Sequence, residues 1–156
     1  LLAEKHPEWK ESLGVVVFGN QSQQLQDLIP FRVYPLPYIK NEHELVDIYN
    51  AVDLFVIPSL EENLPNMVME AMSCGVPCVG FNTGGIPEMI DHLHNGYVAQ
   101  RKSSEDLANG IHWVLTEPEY AELSAQACRK AIGNYSESII AKKYTDVYNK
   151  ITGKYA

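Results

Sequence analysis

Two glutamates, Glu62 and Glu70, stand on either side of a helix start in Pro58-Ser59-Leu60-Glu61-Glu62-Asn63-Leu64-Pro65-Asn66-Met67-Val68-Met69-Glu70-Ala71-Met72. Met67, Val68, Ala71 and Met72 recur at helical spacing and are expected to face a core, while Asn66, Glu70 and Ser73 form a polar stripe at i, i+4 and i+7. Pro65 suits the first turn, where its missing N–H would have no intrahelical partner. A helix N-terminus presents free N–H groups and the positive end of the peptide dipole, so it attracts an anion such as a diphosphate. Glu70 is expected about six residues into the helix, roughly 9 Å along its axis, and Glu62 in the loop before it. Carboxylates facing a diphosphate would repel it, so both are expected to face neutral donors, and sugar hydroxyls meet that need. Hydroxyls at both ends with phosphates between them describe a nucleotide sugar. Spacing alone also fits a plainer reading: a glutamate near a helix start compensates the dipole, as Glu61 is expected to, and a mid-helix glutamate is as a rule a solvated surface residue.

The elements that would hold this segment alternate strand with helix, the signature of an α/β parallel sheet. Val15-Val16-Val17-Phe18 reads as a buried strand ending at Gly19, and Phe31 to Tyr34 as a second strand closed by Pro35 and Pro37. Leu45, Ile48 and Tyr49 give a helical face, and 53–57 is the clearest strand, stopped by Pro58-Ser59. A helix over 65–74, a strand over 77–81 and a short strand over 96–99 follow. From Ser103 onward three helices are expected, over 103–116 (opened by the cap-like Ser-Ser-Glu-Asp), 119–132 and 136–151, forming a tail that packs back on the sheet. Trp113, Tyr135, Tyr144 and Tyr148 are expected to be packing residues. Ligands of open parallel sheets bind beyond the carboxyl ends of the strands, which selects Gly19-Asn20, Pro37 to Lys40, Pro58 to Asn66 and Asn82 to Glu88.

Composition bounds the partners. The 156 residues suit one domain with its own core, and a net charge of −8 argues against nucleic acid as the main partner. Cys74, Cys78 and Cys128 do not form a disulfide pattern, and Cys74 and Cys78 read as small buried residues at a helix–strand junction. The sequons at Asn20 and Asn134 matter only in a secreted protein. No apolar run approaches a membrane span and no signal peptide opens the chain, so a cytoplasmic protein is expected, with peripheral attachment to a membrane left open. His92 and His94 read as loop residues without a third metal ligand, and Arg101-Lys102 as surface charge ahead of a helix.

Several strings in the same order resemble the group 1 (family 4) glycosyltransferases. Pro58-Ser59-x-x-Glu62-Asn63-x-Pro65-Asn66-x-x-x-Glu70-Ala71-Met72-x-Cys74-Gly75-x-Pro77 resembles their E-x7-E motif, and Asn82-Thr83-Gly84-Gly85-Ile86-Pro87-Glu88 their GGxPE segment. Ile48-Tyr49-x-x-x-Asp53-Leu54-Phe55 is similar to the helix–strand lead-in, and Gly96-Tyr97 to the turn before the last strand. The resemblance runs to about Thr116. It implies a GT-B fold, with this chain a Rossmann-like parallel sheet flanked by helices, the C-terminal donor-binding half, with a helical tail. The whole chain, 1–156, would be a single nucleotide-sugar-binding domain truncated at its N-terminus, the acceptor domain being absent. It also implies transfer of a sugar from a nucleotide diphosphate sugar with retention, the acceptor attacking the face from which the phosphate leaves.

By the same resemblance Glu62 contacts donor sugar hydroxyls near the reacting carbon and is the catalytic residue. Glu70 holds the ribose, and the stretch Asn63-Leu64-Pro65-Asn66 supplies backbone N–H groups to the diphosphate, Pro65 shaping the turn without an N–H of its own. Tyr38 and Ile39 lie in the segment that frames the base, and Gly19 allows close approach of the backbone to the donor with Asn20 beside it. No metal or other cofactor is expected, since no D-x-D motif appears. The acceptor, a saccharide or a lipid-linked one as in polysaccharide biosynthesis, would be bound by the other domain. Asn63-Leu64-Pro65 stands where the family more often has Gly-Phe-Gly, which leaves the donor open. The rivals are a GT-B sugar-nucleotide epimerase, told apart by its product, and a non-catalytic α/β binding module, which would need a strand-end acidic cluster that the sequence lacks. In the strand order 3-2-1-4-5-6 this chain supplies all but the central strand. Direct pairing of 14–19 with 53–57, or filling by a second copy, is expected in preference to an unfilled gap, because unpaired buried backbone groups are costly; an ordered piece lying outside this sequence is the third outcome. The chain alone is expected to transfer no sugar.

Overall fold

Short runs of β-branched and aromatic residues, separated by segments long enough to cross over a sheet, are able to pair in parallel. In the computed structural model, which describes residues 1–19 and 22–153, five such strands form. β1 (Gly14–Phe18) pairs in parallel with β2 (Arg32–Leu36). β3 (Phe55–Ile57), β4 (Cys78–Phe81) and β5 (Gly96–Ala99) form a second parallel sheet in that order. The connections carry α2 (Ser22–Leu25), α3 (Glu42–Asn50), α4 (Asn66–Ser73) and α5 (Ile86–Met89), and α1 (Leu2–Lys5) with a 3-10 turn at Pro7–Lys10 precedes β1. The tail is α6 (Ser104–Thr116), α7 (Tyr120–Tyr135) and α8 (Glu137–Thr152). Parallel sheets flanked by helices and a helical tail are the architecture expected from the sequence.

β4 is buried at all four positions, as a strand covered on both faces should be. Around it the core gathers Tyr49, Ile57, Val68, Met72, Ile86 and Met89. Met67 departs from the expected core face: it is 40% exposed while Val68, Ala71 and Met72 are fully buried, so the buried stripe of α4 starts one residue later. Pro35 does not close β2 but pairs opposite Val17 inside it. β2 lies at the edge of its sheet, where a residue without an N–H is tolerated.

The tail packs in relay rather than as one layer. α6 lies on β4 and β5, α7 lies on α4, and α8 touches α7. Ser103 caps α6 as expected, its hydroxyl accepting from the Asp106 amide at 3.1 Å, and Asp106 in turn binds the Gln100 amide and the Tyr97 hydroxyl. α8 buries no residue; Tyr144, Val147, Tyr148 and Ile151 form an exposed stripe. Tyr144 and Tyr148 are therefore not packing residues, whereas Trp113 and Tyr135 pack against the two core clusters. Among the described residues no helix is long and apolar enough to cross a membrane.

Direct pairing of β1 with β3 does not occur among the described residues. A cavity of about 850 Å³ lies between the two sheets, lined by Val16 and Phe18 of β1, Phe55 and Ile57 of β3, and Ile111 and Leu115 of α6. Side chains from the flanking helices line the same space as the two strand edges. Tyr49 joins the two sheets at this point, its ring edge-on to both Phe18 at 6.4 Å and Phe55 at 6.0 Å between centroids.

Candidate functional site

The loop from Pro58 to Pro65 leaves the carboxyl end of β3 and is gripped from the next two strand ends. The Thr83 hydroxyl, just past β4, donates to the Leu60 carbonyl at 3.1 Å, and the Gly85 amide donates to the Asn63 carbonyl at 2.5 Å. Gly84 has φ +52, and a Cβ there would lie 1.8 Å from the Glu62 carbonyl oxygen. Only glycine allows this approach of backbone to backbone. Glu62 is thus a half-buried side chain on a fixed loop, and with Met67 it borders the cavity between the sheets.

α4 starts at Asn66, one residue later than the sequence suggests, with buried Pro65 as its extended N-cap and no side-chain cap among the described residues. The Val68 and Met69 amides turn back to the Pro65 carbonyl at 3.1 and 3.5 Å. The leading amides of Asn66 and Met67, on an exposed end, carry the partial positive charge of the helix. With that start Glu70 lies roughly 6 Å along the axis, closer to the helix end than the sequence spacing implied.

Glu70 is oriented from behind. The hydroxyl of Tyr49, a residue 1% exposed, donates to Glu70 Oε2 at 3.1 Å. Burial, the negative charge of Glu70 and this hydrogen bond all push the Tyr49 hydroxyl well above the usual tyrosine range, so it remains a neutral donor and leaves the other carboxylate oxygen to accept from a ligand. Tyr49→Phe is expected to destabilise the protein by about 1.5 kcal/mol, the size of a hydrogen bond to a charged group, read as a lower urea midpoint at unchanged slope.

The remaining sequence-selected residues are dispersed. Asn63, Leu64 and Asn66 are exposed around the start of α4. Gly19, at the carboxyl end of β1, has φ +120, and a Cβ there would meet nothing within 4 Å. Asn20 lies outside the described residues. Tyr38, 64% exposed, and half-buried Ile39 follow β2, and neither borders the cavity that Glu62 borders. Cys78 is fully buried and burial pushes its thiol up, matching its reading as a packing residue.

Three contacts were not legible in the sequence. Tyr49 was visible only as part of a helical face, Arg101 only as surface charge and His92 only as a loop residue. Arg101 instead donates from Nε and Nη2 to the Leu60 carbonyl at 3.1 and 3.0 Å. His92 Nδ1 accepts from the Val98 amide at 3.1 Å on edge strand β5, with its ring against Tyr97.

Known proteins are similar to this chain in sequence and in fold. The family model "Glycosyl transferases group 1" matches residues 2–131. An uncharacterized glycosyltransferase of Haemophilus influenzae is 28% identical over 128 residues, 80% of this chain and 36% of that protein. The N,N'-diacetylbacillosaminyl-diphospho-undecaprenol alpha-1,3-N-acetylgalactosaminyltransferase of Campylobacter jejuni is 30% identical over 115 residues, 73% of this chain and 30% of that protein. The chain therefore spans about a third of the length of these curated relatives. The crystal structure of Anabaena HepE in complex with UDP and glucose superposes with a TM-score of 0.76 at 22% identity, over 96% of this chain and 44% of that one, a likeness of fold. With a family model matched along most of its length, this chain belongs to the group 1 glycosyl transferases.

Proposed function

We propose that this chain is the donor-binding domain of a retaining glycosyltransferase that moves a sugar from a nucleoside diphosphate sugar to an acceptor held by another part of the enzyme. The observation that carries the reading is the exposed start of α4 set between two carboxylates, each fixed independently: Glu62 by the glycine pair, Glu70 by Tyr49. The helix end takes the diphosphate, Glu70 accepts from the ribose hydroxyls, and Glu62 faces the donor sugar near its anomeric carbon. As the bond to the leaving phosphate lengthens, the helix end stabilises the growing negative charge and Glu62 the positive charge on the sugar ring. The acceptor attacks on the face the phosphate leaves. The Anabaena protein similar in fold was crystallised with UDP and glucose, which supports a nucleoside diphosphate as the first ligand to try.

The experiment is calorimetry of UDP, GDP and ADP against the full-length protein and its Glu70→Gln variant. One nucleotide is expected to bind well above the others, and Glu70→Gln to weaken it by about 1–3 kcal/mol through loss of charge-assisted hydrogen bonds. Binding by none of the three, or equal binding by the variant, contradicts the assignment.

A further inference from the structure

We infer that Arg101 is a positioning residue for Glu62, holding the loop that presents it; the inference rests on the donor-site reading above. Arg101 follows β5, whereas the loop follows β3, and β4 lies between them. Two strand spacings are about 9.5 Å, so a long side chain is needed to cross the sheet end. The guanidinium spans this gap and places two N–H groups on one oxygen, the Leu60 carbonyl, at 3.1 and 3.0 Å. Thr83, at the end of the intervening strand, donates to the same oxygen at 3.1 Å.

A carbonyl has two lone pairs, so donors from two strand ends saturate this one. Among the described residues the loop's other anchors lie on the far side of this point, Gly84 against the Glu62 carbonyl and Gly85 on the Asn63 carbonyl. Leu60 lies two residues ahead of Glu62, so Arg101 closes the other end of the span that carries the carboxylate. Two of its three guanidinium nitrogens are committed to this contact, which sets Arg101 apart from a freely solvated cation. An ammonium at this position keeps the charge but not the planar fork. The contact therefore depends on arginine rather than on a positive charge alone.

The test compares the full-length wild type with Arg101→Met, Arg101→Lys and Thr83→Val, reading hydrogen exchange of residues 60–63 together with kcat and donor KM. Arg101→Met is expected to raise exchange in that span and to lower kcat about 10- to 100-fold, the scale of a displaced catalytic group. Donor KM should stay within about threefold, since nucleotide contacts on α4 are untouched. Arg101→Lys should recover part of kcat, and Thr83→Val should show a smaller loss of the same kind. Unchanged exchange in Arg101→Met overturns the inference, and so does raised exchange with kcat as in wild type. Failure of the donor-site reading has a separate signature: wild type binds no nucleoside diphosphate, and the exchange comparison alone then decides whether Arg101 holds the loop.

Discussion

Glu62→Gln in the full-length enzyme is expected to lower kcat by about 10²- to 10³-fold, the usual cost of removing one preorganised electrostatic contact to a transition state. Nucleotide affinity should change little, because the diphosphate and ribose are assigned to backbone N–H groups at the start of α4 and to Glu70, not to the Glu62 carboxylate. Glutamine keeps the size and the hydrogen-bonding oxygen and removes the charge, so the loss reports charge stabilisation at the sugar rather than packing. The loop itself should stay in place, since its anchors are the backbone of Gly84 and Gly85 and the side chains of Thr83 and Arg101. Steady-state kinetics paired with calorimetry separates the two effects. A variant that turns over like wild type would remove Glu62 from the mechanism, and one that loses nucleotide affinity and turnover together would move it to ground-state binding.

What was legible in the sequence follows range of interaction. The run over 77–81 reads as a strand because its neighbours in sequence already determine it, and β4 forms there. Ser103 caps α6 through a contact three residues away. Pro35 was misjudged because its tolerance depends on β2 being an edge, which is set by pairing and not by local sequence. Tyr144 and Tyr148 have the spacing of a core face, but whether a face is covered depends on what packs there, and among the described residues nothing covers this face of α8. The separation of β1 from β3 is of the same kind: the strands were readable, the cavity between them was not.

The candidate site divides along the same line. Glu62, Glu70 and the start of α4 are close in sequence and could be grouped by spacing. The groups that fix them are distant in sequence: Tyr49 lies 21 residues from Glu70, and Thr83 and Arg101 lie 23 and 41 residues from Leu60, the loop residue they hold. Family resemblance pointed to the Gly84-Gly85 pair without its reason, which is a contact between two loop backbones that leaves no room for a side chain.

Gly84→Ala tests that contact and should be the most damaging small substitution in the chain. Two costs add. At φ +52 an L-residue loses roughly 1–2 kcal/mol relative to glycine, and the new methyl would sit 1.8 Å from the Glu62 carbonyl oxygen and 2.6 Å from its carbon. Both atoms are backbone, so no rotamer change relieves the clash; one loop must move. A total of about 3 kcal/mol is expected, near the upper end for a single substitution, measured by urea unfolding. The displaced loop should also carry Glu62 with it, lowering kcat while nucleotide binding at α4 persists. Gly133→Ala is the control. Gly133 lies inside α7 with nothing within 4 Å of the added carbon, so alanine there should stabilise the protein by up to about 1 kcal/mol through helix propensity. Equal stability of the two variants would show that the loop yields freely to Gly84, and the fixed presentation of Glu62 would then have no physical basis.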